Sequence, residues 1–406
     1  MNYQTHIFPN GIRLIHQEAE SPAAHFGVII NTGSRDEQES EQGLAHFIEH
    51  VIFKGTKKRK AYHILSRLED VGGELNAYTT KEETALFATI LPVDYGRAIE
   101  LISDILINSV YPAKEIEREK EVIIEEINSY KDTPSELIYD EFEEMLYDGH
   151  PLARNILGTP EYVRSFNRDN ICSFIDRNYN TDQIVICSVG KISFNKLIRL
   201  VSHYFGDIPE NKRMFSREKF ENYKPSERIV TRDTYQAHCI LGNIAYDHSN
   251  PKRMALVLLN NILGGQSSNS RLNLSLRERN GMAYNVESSY SSYSDTGLFT
   301  IYFGTDKENI ERALQITYRE LDKLKNEKLG IQQLAKAKKQ LIGQMAISQE
   351  NLEDLLLALG KSFMLYNQVD TLEAIYEKIG KITSADLLDT ANEIFDQSRL
   401  TTLIYK

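Results

Sequence analysis

The stretch "GLAHFIEHVIFKGT", residues 43–56, places two histidines and a glutamate within five positions of an otherwise apolar run. These ionisable residues are His46, Glu49 and His50. Apolar helix faces exclude such groups unless they are paired, hydrogen-bonded or bound to a metal ion. Which of these three explanations applies determines how the first half of the chain is interpreted.

The overall composition is that of a globular protein with more than one domain. The chain has 406 residues, of which 41% are hydrophobic and 26% are charged. This length predicts about two or three domains, and the composition is typical of soluble globular proteins. The formal net charge of −11 argues against a nucleic-acid-binding protein, which usually has a basic surface.

Three further features concern the cellular location. The opening residues "MNYQTHIFPNGIRLIHQ" lack a basic segment followed by a continuous apolar run, so we expect no signal peptide. No apolar stretch approaches the roughly 18–20 residues that a membrane span needs. The three cysteines, Cys172, Cys187 and Cys239, are far apart and form no CxxC pair. We therefore expect neither disulfides nor a membrane anchor, and a cytoplasmic location.

Strand and helix patterns are mixed along the chain. Residues 6–17, "HIFPNGIRLIHQ", predict a hairpin around a Pro-Asn-Gly turn. Residues 23–33 continue as a strand, and residues 42–53 switch to a helical period. Two strand-like runs in residues 76–91 precede an amphipathic helix in residues 92–106. This order predicts an α+β fold rather than strict βαβ alternation.

The second half of the chain repeats features of the first half. Three dipeptides recur in the same order at offsets of 213, 212 and 215 residues. The pairs are Ala24-His25 with Ala237-His238, Leu86-Phe87 with Leu298-Phe299, and Arg97-Ala98 with Arg312-Ala313. We predict two homologous domains, residues 1–212 and 213–406, each with a mostly antiparallel sheet packed against helices. A polar, charged connection lies around residues 207–228.

The duplicate lacks the ionisable cluster. A shift of 213 positions places residues 46–50 on residues 259–263, "LNNIL", which contain no histidine and no acid. We therefore expect both halves to fold and only the first half to carry the chemistry.

The order HxxEH has a specific chemical meaning on a helix. His46 and His50 are four residues apart, so they lie on one face one turn apart. Two imidazoles at this spacing can bind zinc, and Glu49 beside them can act as a general base on a water molecule. This order is the inverse of HExxH and is known as the inverzincin arrangement. The alternative is a pair of buried, hydrogen-bonded histidines beside a surface glutamate.

A catalytic zinc site needs a third protein ligand. Residues 112–132, "PAKEIEREKEVIIEEINSYKD", form a long helical pattern that starts after a proline. At about 100° per residue, Glu126 lies roughly 20° from Glu119, whereas Glu125 lies on the far side. Both Glu119 and Glu126 fall within the arc of the apolar residues Ile116, Val122, Ile123 and Ile127. The alternative is a solvated helix whose acids pair with lysines such as Lys120.

Several segments together resemble one peptidase family. "HFIEHVIFKGT", "GGELNAYTTKEETALF" and "EREKEVIIEEINSYKDTPSEL" are similar to the pitrilysin/insulysin family of zinc peptidases, particularly its mitochondrial-processing-peptidase-like branch. The resemblance covers nearly the whole chain, including the second domain. In that family the ligand glutamate follows the second histidine by 76 positions, which is Glu126 here. An auxiliary acid seven residues earlier corresponds to Glu119, which would orient a histidine.

The resemblance also implies substrate-binding residues. "GGELNAYTT" resembles the family's substrate-binding edge strand, in which Asn76 would hold a substrate carbonyl and the backbone from Ala77 would pair with the peptide. From the residues alone, a Gly-Gly turn that enters a strand is the favoured interpretation of this stretch. "LRERNGMAYNVESSY" resembles the segment that supplies an arginine and a tyrosine, here Arg277 and Tyr284, to bind the substrate backbone and stabilise the oxyanion.

The combined interpretation is a zinc-dependent metalloendopeptidase that hydrolyses unfolded peptides inside an enclosed chamber. Zinc (Zn2+) would be held by His46, His50 and Glu126, with Glu49 as the general base. The family's cavity is built from four such domains, so a homodimer would complete it, and a hetero-oligomer with a homologous subunit is the other option. The alternative function is a non-catalytic peptide-binding or assembly subunit of the same fold. The sequence defines neither the cleavage-site preference nor the physiological substrate.

Overall fold

The computed structural model describes residues 3–406, which form eleven β-strands in two sheets and fourteen α-helices. The strands are β1 Tyr3–Ile7, β2 Arg13–Gln17, β3 Ala24–Ile30, β4 Glu74–Thr79, β5 Thr84–Ile90, β6 Ile184–Val189, β7 Glu227–Val230, β8 Ala237–Ala245, β9 Ala283–Ser292, β10 Gly297–Thr305 and β11 Thr401–Tyr405. The helices are α1 Leu44–Val51, α2 Ala61–Glu69, α3 Tyr95–Asn108, α4 Ala113–Lys131, α5 Pro134–Leu146, α6 Pro160–Ser165, α7 Arg168–Asn178, α8 Phe194–Phe205, α9 Arg253–Gly264, α10 Ile310–Asn326, α11 Ile331–Ser348, α12 Leu352–Tyr366, α13 Leu372–Lys381 and α14 Ser384–Ile394. The predicted α+β class is confirmed.

The first sheet has the strand order β1-β2-β6-β3-β5-β4. Its neighbours are antiparallel except for the parallel pair β2 and β6. Strands β3 and β6 are buried along their whole length, which explains why "AHFGVII" and "IVICSV" are nearly continuous apolar runs rather than alternating ones. One face packs against a core that includes residues of α1, α3, α4 and α8, and the other face packs against α12.

The second sheet repeats this arrangement. Its order is β7-β11-β8-β10-β9, with β7 and β11 parallel and the other neighbours antiparallel. Strand for strand it matches β2-β6-β3-β5-β4 of the first sheet in order and in direction. The three dipeptide pairs fall on β3 and β8, on β5 and β10, and on α3 and α10. The predicted pair of homologous, mostly antiparallel domains is therefore confirmed.

Each of the two compact units is built from three separate segments of the chain. The first unit contains the residues up to Asn128 together with Arg154–Arg217 and Ile347–Thr371. The second contains Ser129–Ala153, Glu218–Ala346 and Leu372–Lys406. Helix α5 therefore belongs to the second unit and α12 to the first, so each half contributes one helix to the other half's sheet. The predicted boundary between residues 212 and 213 remains a prediction, and the passage between the units at Arg217 and Glu218 falls inside the predicted connection.

Helix α12 approaches the first sheet closely at Gly360. A Cβ atom at Gly360 would lie 2.6 Å from Cδ1 of Ile29 and 3.0 Å from Sγ of Cys187. On the sheet side, a Cβ atom at Gly27 would lie 2.9 Å from Cβ of Phe87 and 3.3 Å from Cδ2 of Leu356. Glycine at these two positions lets helix and sheet pack without a gap. Among the described residues, no helix is long and apolar enough to cross a membrane.

This packing predicts opposite effects for two mid-helix glycines. Gly360→Ala forces a methyl group into the helix–sheet contact and should lower the free energy of unfolding by about 1–3 kcal/mol. A Cβ atom at Gly343 in α11 would meet open space. Gly343→Ala should therefore raise the free energy of unfolding by about 0.5–1 kcal/mol, because alanine has the better helix propensity. Urea unfolding midpoints measure both changes. Equal midpoints for the two variants would contradict the close contact of α12.

Candidate active site

Helix α1 begins at a backbone position that requires glycine. Gly43 precedes the helix with φ of 93°, a left-handed conformation that side chains rarely adopt. A Cβ atom there would also lie 2.6 Å from the carbonyl oxygen of Leu157 and 2.8 Å from Cα of Gly158. The helix then buries its apolar residues Leu44, Ala45, Phe47, Ile48 and Val51. This burial fixes the rotation of the helix and thereby the direction of the ionisable side chains.

The two histidines of α1 face each other across one helical turn. The ring centroids of His46 and His50 are 4.7 Å apart, with an angle of 60° between the ring planes. His46 is buried, whereas His50 is partly exposed. Burial lowers the pKa of His46 to about 3, and His50 acts in the same direction. His46 is therefore neutral at physiological pH, the form in which an imidazole binds a metal ion.

Helix α4 brings a carboxylate to both rings. Oε2 of Glu126 lies 3.9 Å from Nε2 of His46 and 3.6 Å from Nε2 of His50. Ligand atoms of these three residues all lie within 4.8 Å of one another, and they form the one such group of metal-binding side chains found within residues 3–406. The separations are too long for hydrogen bonds. Two ligand atoms bound tetrahedrally to one zinc ion, at bond lengths of about 2.0–2.1 Å, lie about 3.4 Å apart. The distances from Glu126 to the two imidazoles are close to that separation.

The donor set therefore fits zinc. Two neutral imidazoles and one carboxylate are the protein ligands of several zinc hydrolases, and the fourth position of the tetrahedron is then left for water. The alternative interpretation, a pair of hydrogen-bonded histidines, holds for Nδ1 of His50 beside Glu119. It does not hold for the two Nε2 atoms, which both lie beyond hydrogen-bond distance of Glu126.

A partly buried ion pair lies behind His50. Oε2 of Glu119 is 3.4 Å from Nδ1 of His50, and Oε1 of Glu119 is 2.8 Å from Nζ of Lys54. Glu119 is buried, so the lysine compensates its charge. The carboxylate faces Nδ1 and leaves Nε2 of His50 turned toward Glu126. Lys54 was missed by the sequence analysis, although it lies in the same "FKGT" stretch.

Glu49 lies between the histidines on α1 and is partly buried. Burial raises the pKa of Glu49; Thr79 and His50 lower it, and the nearby charge of Glu126 raises it. Burial also raises the pKa of Tyr179, and the charge of Glu49 adds to that effect. Thr79 and Tyr179 come from distant parts of the chain, so no local pattern could have linked them to Glu49.

Strand β4 lies at the edge of the first sheet and packs against α1. It pairs with β5, with Asn76 opposite Phe87 and Ala77 opposite Leu86. Asn76 is exposed and Ala77 is partly buried. The outer edge of a terminal strand can accept an additional strand, so the structure leaves such an edge next to the metal-ligand helix.

Arg277 and Tyr284 belong to the second unit. Arg277 lies in a helical turn, Asn273–Glu278, and its guanidinium is 3.9 Å from the carboxylate of Glu278. Tyr284 lies near the start of β9, an edge strand of the second sheet, and 73% of it is exposed. Both side chains are accessible to solvent, and neither is part of the cluster that the first unit forms by itself.

Two details of α4 differ from its sequence pattern. Val122 is exposed, although the pattern placed it on the apolar side, and Ile124 is buried instead. The lysine–glutamate ion pair considered as the alternative for this helix is also present, since Nζ of Lys120 is 2.7 Å from Oε1 of Glu117. The buried face is thus rotated slightly from the predicted one, and Glu126 lies at its border.

Comparisons with known proteins agree on one family. The family model described as "Insulinase (Peptidase family M16)" matches residues 13–160, and the one described as "Peptidase M16 inactive domain" matches residues 165–341. An uncharacterized zinc protease of Bacillus subtilis, YmxG, is 32% identical over 97% of this chain and 96% of its own length. An uncharacterized zinc protease of Rickettsia felis is 32% identical over 93% of this chain and 91% of its own length.

Two solved structures share the fold. A protease from Helicobacter pylori superposes with a TM-score of 0.92 over 100% of this chain and 99% of its own, at 21% identity. A Pseudomonas fluorescens protein described as a peptidase M16 inactive domain superposes with a TM-score of 0.93 over 100% of this chain and 98% of its own, also at 21% identity. These two proteins therefore share the fold of this chain.

The cluster predicts that two glutamates adjacent on α4 differ in their effect on metal binding. Glu126→Ala should weaken zinc binding by more than the roughly 10–100-fold that loss of an outer-shell partner costs. Glu125→Ala, at an exposed position of the same helix, should leave zinc binding unchanged. Glu125→Ala should also alter stability by no more than about 0.5 kcal/mol, as surface substitutions do. Competition titration with a chelator measures the affinities, and equal affinities for the two variants would exclude Glu126 as a ligand.

Proposed function

We propose that this chain, which belongs to the insulinase family of peptidases (family M16), is a zinc-dependent endopeptidase that hydrolyses unfolded peptides. The observation that carries the proposal is the convergence of His46, His50 and Glu126 within 4.8 Å. Glu49, on the same helix as the histidines, is the additional carboxylate that hydrolysis requires. Relatives named zinc proteases at 32% identity support the same kind of activity.

Each residue of the cluster has one task in this proposal. His46, His50 and Glu126 hold the metal ion, and Glu119, supported by Lys54, keeps His50 in position. Zinc, when bound, supplies Lewis-acid polarisation of a water molecule and of the peptide carbonyl. Glu49 accepts a proton from the attacking water and returns it to the leaving amine. The raised pKa of Glu49 suits this exchange, because a base works best with a pKa closer to the working pH.

Substrate binding is proposed to use strand addition. The free edge of β4 offers backbone groups from Ala77 onward, and the exposed amide of Asn76 is available to a substrate carbonyl. We propose that Arg277 and Tyr284 bind the substrate backbone and stabilise the oxyanion. Only an extended peptide can pair with an edge strand, so the substrates are unfolded segments.

The remaining proposals concern assembly and location. We propose a homodimer that encloses the substrate in a chamber, because one chain carries both the HxxEH motif and the Arg277–Tyr284 pair. A hetero-oligomer with a homologous subunit is the other assembly. We propose a cytoplasmic location, since the three cysteines are free thiols. The alternative, a non-catalytic binding subunit, gives no reason for a complete set of metal ligands beside Glu49.

The general base is tested by Glu49→Gln. This variant removes the proton acceptor and leaves the three metal ligands in place. Cleavage of a mixture of unfolded peptides, followed by mass spectrometry with and without chelator, should fall by roughly 10²–10⁴-fold. Bound zinc, measured by elemental analysis, should remain stoichiometric. Normal turnover in the variant would remove Glu49 from the mechanism, and wild-type protein without zinc or cleavage would favour the non-catalytic alternative.

Enclosure and strand addition predict discrimination by conformation. The same polypeptide should be cleaved when unfolded and resist cleavage when folded, because a folded chain presents no free extended segment. A small disulfide-bonded domain, compared in its native and its reduced, alkylated forms, provides matched substrates. Comparable cleavage of both forms would contradict an enclosed, strand-pairing site.

A further inference from the structure

The loop between β3 and the metal-ligand helix buries three consecutive charged residues. Arg35, Asp36 and Glu37 are 4%, 9% and 4% exposed, respectively. Charged side chains are almost never fully buried unless they are paired, because the loss of hydration is costly. Three in succession therefore indicate that this loop is held in place by specific partners.

Two of these residues attach the loop to other segments of the first unit. Nη1 of Arg35 is 2.7 Å from Oε1 of Glu82. Asp36 accepts two hydrogen bonds from Arg217, from Nε at 2.9 Å and from Nη2 at 2.8 Å. Arg217 also donates to the carbonyl oxygens of Asn31 and Glu82 at 3.1 and 2.9 Å. Such a two-pronged contact between arginine and carboxylate fixes orientation as well as distance.

The third residue reaches the helix itself. The backbone N–H of Gly43 donates to Oε2 of Glu37 at 3.0 Å, and that of Ala45 donates to Oε1 at 2.8 Å. The first N–H groups of a helix have no partner within the helix. Glu37 thus satisfies two of them with one carboxylate. The guanidinium of Arg154 holds the main chain of Glu37, with Nη1 2.6 Å from its carbonyl oxygen.

We propose that Glu37 is a positioning residue for the zinc site and that Arg217 secures the loop from which it acts. The inference rests on the proposed function, because it assumes that His46 and His50 bind zinc. Helix α1 has only eight residues, and His46 is the third of them. An uncapped first turn frays, and fraying here displaces the His46 ring from Glu126.

The geometry requires a carboxylate of this length. A glutamine side chain has one acceptor oxygen and an NH2 group that is only a donor, so it can hold one of the two N–H groups and opposes the other. An aspartate keeps both acceptor oxygens but is one methylene shorter, so it cannot reach both N–H groups at once. Both substitutions should loosen the first turn of α1, and glutamine should do so more strongly.

The test compares Glu37→Gln with Glu83→Gln in the full-length protein. Glu83 is 5% exposed, belongs to the same unit and accepts its hydrogen bonds from Tyr78 and Lys361 rather than from α1. Zinc affinity is measured by chelator competition, and the site geometry by the visible spectrum after loading with cobalt(II). Glu37→Gln should lose roughly 10-fold or more in zinc affinity and shift the cobalt spectrum. Glu83→Gln should match wild type in both.

The outcomes separate this inference from the proposed function. Wild-type protein that binds no zinc would refute the proposed function. If wild type binds zinc, and Glu37→Gln and Glu83→Gln show equal zinc affinities and equal cobalt spectra, the role of Glu37 is refuted. If Glu37→Gln does not fold, Glu37→Asp replaces it. This variant should bind zinc more weakly than Glu83→Gln, and an affinity equal to that of Glu83→Gln would again overturn the proposal.

Discussion

The chemistry of this chain depends on the approach of one carboxylate oxygen of α4 to two imidazole nitrogens of α1, at 3.6 and 3.9 Å. His46, His50 and Glu126 are withdrawn from bulk water to different degrees and do not satisfy one another by hydrogen bonds. An arrangement of this kind is costly unless a cation completes it. The left-handed start of α1 at Gly43 and the ion pair of Glu119 with Lys54 both hold the side chains in this costly arrangement.

The two units show which part of the sequence serves the fold and which serves the chemistry. Five strands have the same order and directions in both sheets, so the duplicated apolar pattern is sufficient for folding. In the second unit, Leu259 and Leu263 of α9 are buried in the segment that corresponds to the histidines. Apolar side chains there remove the cost of burying ionisable groups. The model described as an inactive domain matches residues 165–341, a range that includes this segment of α9.

Periodicity predicted the features that depend on local spacing. His46 and His50 share a face because they are four residues apart, and Glu126 follows from the phase of α4, although the exposure of Val122 shows that the phase was only approximate. The exchange of α5 and α12 could not be predicted, because an amphipathic pattern requires a buried face without specifying which sheet buries it. Glu37, Lys54 and Tyr179 were missed since their roles arise from contacts in space.

The central claim is that two imidazoles and one carboxylate bind a single zinc ion. X-ray absorption at the zinc edge of the purified protein tests it most directly. We expect one zinc per chain with a first shell of nitrogen and oxygen at about 2.0–2.2 Å, and loss of that signal in Glu126→Ala. A first shell containing sulfur at about 2.3 Å, or an unchanged spectrum in Glu126→Ala, would contradict it.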